Sequence, residues 1–465
     1  MVAAGLTQAA PLLTGCGALA QVATPPPQQV RLQGPRGALS VAQSKQVLQA
    51  LQNRQPDTDI LDRHVAIEEA INQAPLTLGN AVRLLQDGPA TYAAMLAEIT
   101  SARDHINMET YIFDDDDVGR HFAEALIDKQ NQGVQVNLIH DSVGTLSTPQ
   151  ALFDRLRAVG VQVVEFNPIN PFKAWRSSLD WTPNQRDHRK LLIVDGQVAF
   201  LGGINISSVY SGGSRGRSRR SAATAHNDDG DTLQGSAWRD TDLQLQGPVV
   251  ADLQHLFMSS WLQQTGVLPL SKAYFPTPRV MGQHLVRAVA SQPGNAGNSP
   301  IYSTLLSAIG SAENTVSITN AYFAPDPQLL LALTDAAGRG VDVQLILPSQ
   351  TDSWLIFHAG RSHYETLLKA GVKIHERRGV VLHSKTALID GVWSTVGSTN
   401  LDWRSFVHNQ EVNVVVLGPD FGAQLQAIFD ADRNASQPVL LRDWQQRPAW
   451  SRLKESFARW WDYWL

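Results

Sequence analysis

At 465 residues, with 43% hydrophobic and 17% charged residues, the chain can bury a core of two or three domains, and a mainly disordered protein is excluded. The 38 Lys+Arg against 43 Asp+Glu give a formal net charge of -5, without the basic excess that non-specific nucleic-acid binding relies on. The single cysteine, Cys16, rules out an internal disulfide and a Cys-rich metal site, and no stretch reaches the ~18 apolar residues of a membrane-crossing helix.

No Asp, Glu, Lys or Arg precedes Arg31, and Pro25, Pro26 and Pro27 close this uncharged start. Leu13, Thr14, Gly15 and Cys16 resemble a bacterial lipobox, which makes Cys16 a candidate acylation site; a disordered start is the alternative. A β-rich run at 106–111, a helical stretch and a second β-rich run at 133–139 form a βαβ pattern. Between them lie Asp114, Asp115, Asp116 and Asp117, read as a solvated helix start rather than a cation site. A Leu-rich helix stopping at Gly160 leads to a third run at 160–165.

Next come His188, Lys190 and Asp195, then Gly202, Gly203 and Asn205. Residues 211–235 are rich in Gly and Ser, with Arg215, Arg217, Arg219 and Arg220 followed by Asp228, Asp229 and Asp231, a composition that cannot join a core. Asp242 opens a strand-like run ending at Gly247, and residues 291–300 read as a connector.

The second half repeats the first. Runs at 316–322, 340–346 and 371–376 reproduce the β order, and His383, Lys385, Asp390, Gly397, Ser398 and Asn400 reproduce the polar set, with His, Lys, Asp and Asn all shifted by 195 positions. On a strand, residues two apart share a face, so each His projects with its Lys. Two matches in register make chance negligible. Glu411 follows His383 by 28 residues, and Asp242 follows His188 by the same spacing once residues 211–236 are counted as an insertion. Each imidazole needs an orienting partner, so Asp242 and Glu411 are the candidates, with the question of which acid serves which histidine left open.

These residues resemble the phospholipase D superfamily, whose signature is this duplicated motif, over about residues 80–435. Residues 108–113, 202–206, 359–364 and 400–405 are similar to bacterial cardiolipin synthases of that type. Trp403 stands where those enzymes often have Pro. The resemblance implies an α/β fold of two similar halves, each a mixed sheet flanked by helices, related by a pseudo-twofold axis around one shared active site. It implies His188, Lys190, Asp195, His383, Lys385 and Asp390 as catalytic residues, with His188 as nucleophile. Asn205, Ser398 and Asn400 would hold the phosphate, and no cofactor or metal is needed. The implied partner is a phospholipid, phosphatidylglycerol, and not nucleic acid. The implied activity is transfer of a phosphatidyl group through a phosphohistidine, with phospholipid hydrolysis or a nuclease as alternatives.

The expected organisation is an N-terminal segment and linker over 1–60, a first half over 61–268, a second over 269–435 and a tail over 436–465. In the tail, Leu453, Phe457, Trp460, Trp461 and Trp464 recur at helical spacing, with Arg452, Lys454 and Arg459 largely off that face. Such a helix suits a membrane interface, and docking on the protein's own core is the alternative. Attachment through this tail, with Cys16 as a candidate second anchor, makes the expected location a bacterial membrane surface.

Overall fold

The computed structural model describes residues 25–72, 74–170, 182–212, 236–269, 272–293 and 299–461. Cys16, nearly all of the 211–236 insertion and Trp464 lie outside the described residues.

Two sheets repeat one plan. The first runs Thr77–Gln86, Thr241–Gln246, Val198–Gly202, Leu191–Val194, His105–Thr110, Gln135–Asp141 and Gln162–Phe166. The last three are parallel to one another and the remaining neighbours antiparallel, so each sheet is mixed. The second runs His284–Ser291, Asn409–Leu417, Trp393–Gly397, Lys385–Ile389, Thr315–Asn320, Asp342–Pro348 and Lys373–Arg377, with the same senses. An eighth strand, Ser436–Val439, adds antiparallel to its edge.

The sheets meet both at an edge and by their faces. His284–Ser291 pairs with Thr77–Gln86 through a short antiparallel stretch. Strands buried on both faces read as near-continuous apolar runs, as in Leu191–Val194 and Val412–Leu417. One face of each sheet contributes Leu191, Ile193, Leu243, Leu245, Val286, Val396, Val412 and Val414 to a shared core, closed by Trp261 and Phe421. The outer faces are covered by helices such as Asp87–Ser101 and Asp117–Asn131 on the first half and Pro300–Ser311 and Pro327–Gly338 on the second.

Asp116 caps the helix Asp117–Asn131 by accepting from the backbone N–H of Val118 and Gly119, the role expected of the acidic run. The helices Val41–Gln52 and Ile60–Ile71 pack on the second half: Trp393 Nε1 donates to Glu68, and Arg287 pairs with Glu68 and Glu69. The C-terminal helix Ala449–Arg459 docks through Ala458, buried with Ala324 and Ala359, and through Glu455, paired with Arg447. Its aromatic face is open: Trp450, Leu453, Phe457, Trp460 and Trp461 are all exposed, Trp460 at 82%.

Candidate active site

Two cross-half strand pairs build the site. Arg186–Asp187 pairs parallel with Asn409 and Gln410, and Trp238–Arg239 pairs parallel with Val381–Leu382. Each pair carries the chain into a histidine on one side and an acid on the other. His188 N–H donates to Gln410 O at 3.0 Å, and His383 N–H donates to Arg239 O at 2.8 Å. The next residue in each partner strand is Glu411 or Asp240.

Each acid therefore serves the histidine of the opposite half. His188 Nδ1 lies 3.0 Å and 3.1 Å from the Glu411 carboxylate oxygens. His383 Nδ1 lies 2.7 Å from Asp240 Oδ2. Bonded through Nδ1, each imidazole keeps Nε2 for chemistry.

Asp240, not Asp242, thus orients His383. Asp242 is buried on the neighbouring strand, where its Oδ1 accepts from Ile204 N–H at 3.2 Å. The strand register explains the difference: Asp240 follows His188 by 52 residues and Glu411 follows His383 by 28, so the insertion is 24 residues long, two fewer than the 26 of 211–236. The sequence signal was available in the Arg-Asp pair before the strand, matching Gln410 and Glu411.

The lysines project with the histidines, as the two-residue spacing predicts. Lys190 Nζ donates to His188 O at 2.5 Å, and Lys385 Nζ donates to His383 O. They lie 5.2 Å and 5.9 Å from the Tyr111 and Tyr322 ring centroids respectively.

Asp195 and Asp390 stand away from this chemistry, contrary to the catalytic role the resemblance implied. Both take positive φ, 52° and 50°, in the turn after the motif strand. Asp195 accepts from the N–H groups of Arg103, Asp104 and His105 at 2.8–3.0 Å. Asp390 accepts from Glu313, Asn314 and Thr315 at 2.8–2.9 Å, and from Thr58 Oγ1 at 2.8 Å. They fix a helix-to-strand loop on the motif strand and act as architectural anchors.

The expected phosphate binders also divide. Asn205 is spent internally: its Oδ1 accepts from Ile112 N–H at 3.1 Å and its Nδ2 donates to Tyr210 Oη at 3.1 Å. Tyr210 Oη in turn lies 3.3 Å from His383 Nδ1, a link the motif did not reveal. Ser398 donates to Glu411 Oε2 and accepts from Val412 N–H. Its counterpart Gly203 leaves room for Asp240, whose carboxylate a Cβ there would meet at 2.4 Å. Asn400 has a buried amide oxygen without a protein partner, as does Asn409 beside Glu411.

The electrostatics separate the two pairs. Burial pushes His188 down to about 4 despite Glu411, so its imidazole is neutral at pH 7. Burial raises the Glu411 carboxyl, but His188, Lys190 and Ser398 outweigh it and hold the group below its usual value, ionised. Burial and the two lysines hold His383 well below its usual value. Burial pushes Asp240 up to about 7 although Lys385 and Arg239 pull it down. The Asp240–His383 pair therefore retains a proton near neutrality, and the Glu411–His188 pair does not. Burial lowers Lys190 to about 7 and Lys385 to about 8, values that a bound phosphate anion would raise. Among the described residues no group of three or more His, Cys, Asp or Glu is placed to hold a metal ion.

Two halves of one α/β plan, each delivering a histidine and a lysine to a shared site, define a protein of the phospholipase D class. Residues 95–211 and 305–433 match the family described as cardiolipin synthase, PLD-like domain. The cardiolipin synthase of Geobacillus thermodenitrificans (strain NG80-2) is 35% identical over 392 residues, covering 84% of this chain and 73% of that one. Cardiolipin synthase 1 of Bacillus cereus is 31% identical, covering 86% of this chain and 76% of that one. The chain belongs to the cardiolipin synthase family of phospholipase D-like proteins. Among solved structures, the phosphatidylserine synthase of Haemophilus influenzae Rd KW20 shares the fold, with a TM-score of 0.61 at 15% identity over 84% of this chain and 96% of that one.

Proposed function

We propose that this protein is a phosphatidyltransferase that joins two phosphatidylglycerols into cardiolipin and glycerol. The observation that carries the reading is the pair of buried imidazoles, each held through Nδ1 by a carboxylate of the opposite half, with two lysines beside them. Neutral His188 is the nucleophile: its Nε2 bonds to phosphorus and the phosphorus–glycerol oxygen bond breaks. The proton held by the Asp240–His383 pair passes to the departing glycerol oxygen. A primary hydroxyl of the second phosphatidylglycerol then gives its proton to His383 and attacks phosphorus, and the bond to His188 breaks. Lys190, Lys385 and the Asn400 amide stabilise the charge on the non-bridging oxygens.

Lipid mass spectrometry on phosphatidylglycerol vesicles in EDTA tests this. Cardiolipin and glycerol in equal amounts are expected. Phosphatidic acid without cardiolipin would identify a hydrolase, and cleavage of DNA without lipid turnover a nuclease.

The exposed aromatic face of Ala449–Arg459 supports membrane attachment, with Arg452, Lys454 and Arg459 drawn to anionic lipid. Among the described residues no helix is long and apolar enough to cross a membrane. Replacing Trp450, Phe457, Trp460 and Trp461 by Gln leaves the docking residues Glu455 and Ala458 in place. Vesicle co-sedimentation should fall on the order of tenfold or more, while turnover of a short-chain soluble substrate persists. Unchanged vesicle binding would remove the helix from this role.

A further inference from the structure

Every site residue has a counterpart in the other half, and the counterparts differ in one direction. On the His188 side stand Arg404, Ser405 and Asn409; on the His383 side the same places hold Val209, Tyr210 and Trp238. Asn409 Nδ2 donates to Glu411 at 3.3 Å. Trp238 makes no such bond to Asp240. Its ring instead lies 5.1 Å from the His383 ring and 5.3 Å from Tyr210, while Tyr322 closes the far side of His383 at 5.9 Å. Among the described residues, three aromatic rings therefore lie against His383, and one, that of Tyr111 at 5.0 Å, lies against His188.

Trp238 is rigidly held. Ala237 O accepts from Val381 N–H at 3.0 Å, and the adjacent Arg239 guanidinium is fixed in the interior by Asp432 and Asp87. The indole is only partly buried, and its ring is tilted by 49° against the histidine that must meet the incoming hydroxyl.

We propose that Trp238 is a specificity-determining residue that forms the wall of the acceptor subsite at His383 and directs the phosphatidyl group to an alcohol rather than to water. The inference rests on the transferase reading above, in which acceptor and leaving alcohol share the His383 side. An acceptor glyceryl group carries C–H surface that can lie on an indole face, and water has none. A wall of this kind also excludes water from the approach to His383, where a free water would be activated as readily as the alcohol. No step of the chemistry changes; what changes is which hydroxyl His383 meets.

The test measures cardiolipin, phosphatidic acid and free glycerol together for the wild type and for Trp238→Ala, Trp238→Asn and Trp238→Phe on phosphatidylglycerol vesicles. Free glycerol reports the first transfer, and the phosphatidic acid to cardiolipin ratio reports the fate of the intermediate. The ratio should rise on the order of tenfold in Trp238→Ala. Trp238→Asn, which copies Asn409, should behave alike, and Trp238→Phe should stay near the wild type. If Trp238→Ala proves unstable in a melting curve, the Asn and Phe variants are compared in its place. A constant ratio with both products falling together would reduce Trp238 to a packing residue and overturn the proposal while leaving the transferase reading intact. A wild type that releases only phosphatidic acid would overturn both.

Discussion

The two halves repeat the same backbone plan and give their histidines different surroundings. His188 faces a longer acid, Glu411, which also accepts from Ser398 and Asn409 and is held ionised. His383, which has aromatic rings against it, faces a shorter acid, Asp240, backed by Gly203, and burial pushes this acid up to about 7. Three acceptor bonds from side chains stabilise the charged form of one carboxylate, while burial favours the neutral form of the other. A duplicated fold has thus been divided into a proton-free pair and a proton-holding pair. On the transferase reading proposed above, that division would let one imidazole attack while the other delivers a proton.

The largest expected effect breaks the pairs outright. His188→Ala and His383→Ala should each lower turnover by several orders of magnitude, since nucleophile and acid/base act as a unit. The two variants should differ in what they trap: with labelled phosphatidylglycerol, His383→Ala can still form label on the His188 peptide, slowly, and His188→Ala cannot. Label on the His383 peptide would reverse the assignment. Glu411→Gln and Asp240→Asn should cost less, on the order of a hundredfold, because the histidine remains and only its orientation and charge support are lost.

Much of this was legible in the sequence because a duplication exposes its own signal. The constant shift between His188, Lys190, Asp195, Asn205 and their partners located both motif strands, and two-residue alternation placed each lysine beside its histidine. What failed were inferences that needed register or roles. Asp240 was missed because an insertion lies between it and His188, and composition marks the end of an insertion only to within a few residues. Asp195 and Asp390 share the motif spacing with the catalytic groups, yet spacing cannot tell a side chain aimed at substrate from one aimed at backbone N–H groups. Asn205 was assigned to phosphate although Ile112 and Tyr210 already use its amide. The cross-half exchange of acids is a matter of three-dimensional pairing between Arg186–Asp187, Trp238–Arg239 and their distant partners, which no local pattern encodes.

A pH profile sharpens the comparison. The Asp240–His383 pair holds its proton below about 7 and loses it above, and Lys190 and Lys385 lose charge near about 7 and about 8. His188 becomes protonated only near about 4. The rate should therefore be flat between those limits and fall as pH rises through 7–8. The groups facing Asp240 include Lys385, Arg239 and Lys190, and all three favour its charged form. Glu411→Gln removes a charge that raises both lysines and should move the alkaline limb to lower pH, and Asp240→Asn should displace or remove it. An unchanged limb in Asp240→Asn would assign it to the lysines alone.

The smallest effect concerns the two turn acids, and it asks whether the halves are equally anchored. Asp195 and Asp390 hold equivalent loops, but Asp390 is almost fully buried, at 4% exposure, and also accepts from Thr58, which ties the N-terminal segment to the second half. Asp195 is more open to water, so its bonds are partly replaced by solvent when lost. Removing a buried acceptor from charged hydrogen bonds strands several N–H donors, a cost of about 2–4 kcal/mol for Asp390→Ala. Asp195→Ala should cost roughly 1 kcal/mol less, since its donors can be rehydrated. Denaturant melts on the two variants measure the difference. Turnover per folded molecule should stay close to that of the wild type in both, because neither side chain touches a histidine or a lysine of the site. A fall comparable to His188→Ala in folded Asp390→Ala would return that residue to the catalytic set and would mean that the turn positions Lys385 more tightly than its backbone bonds account for.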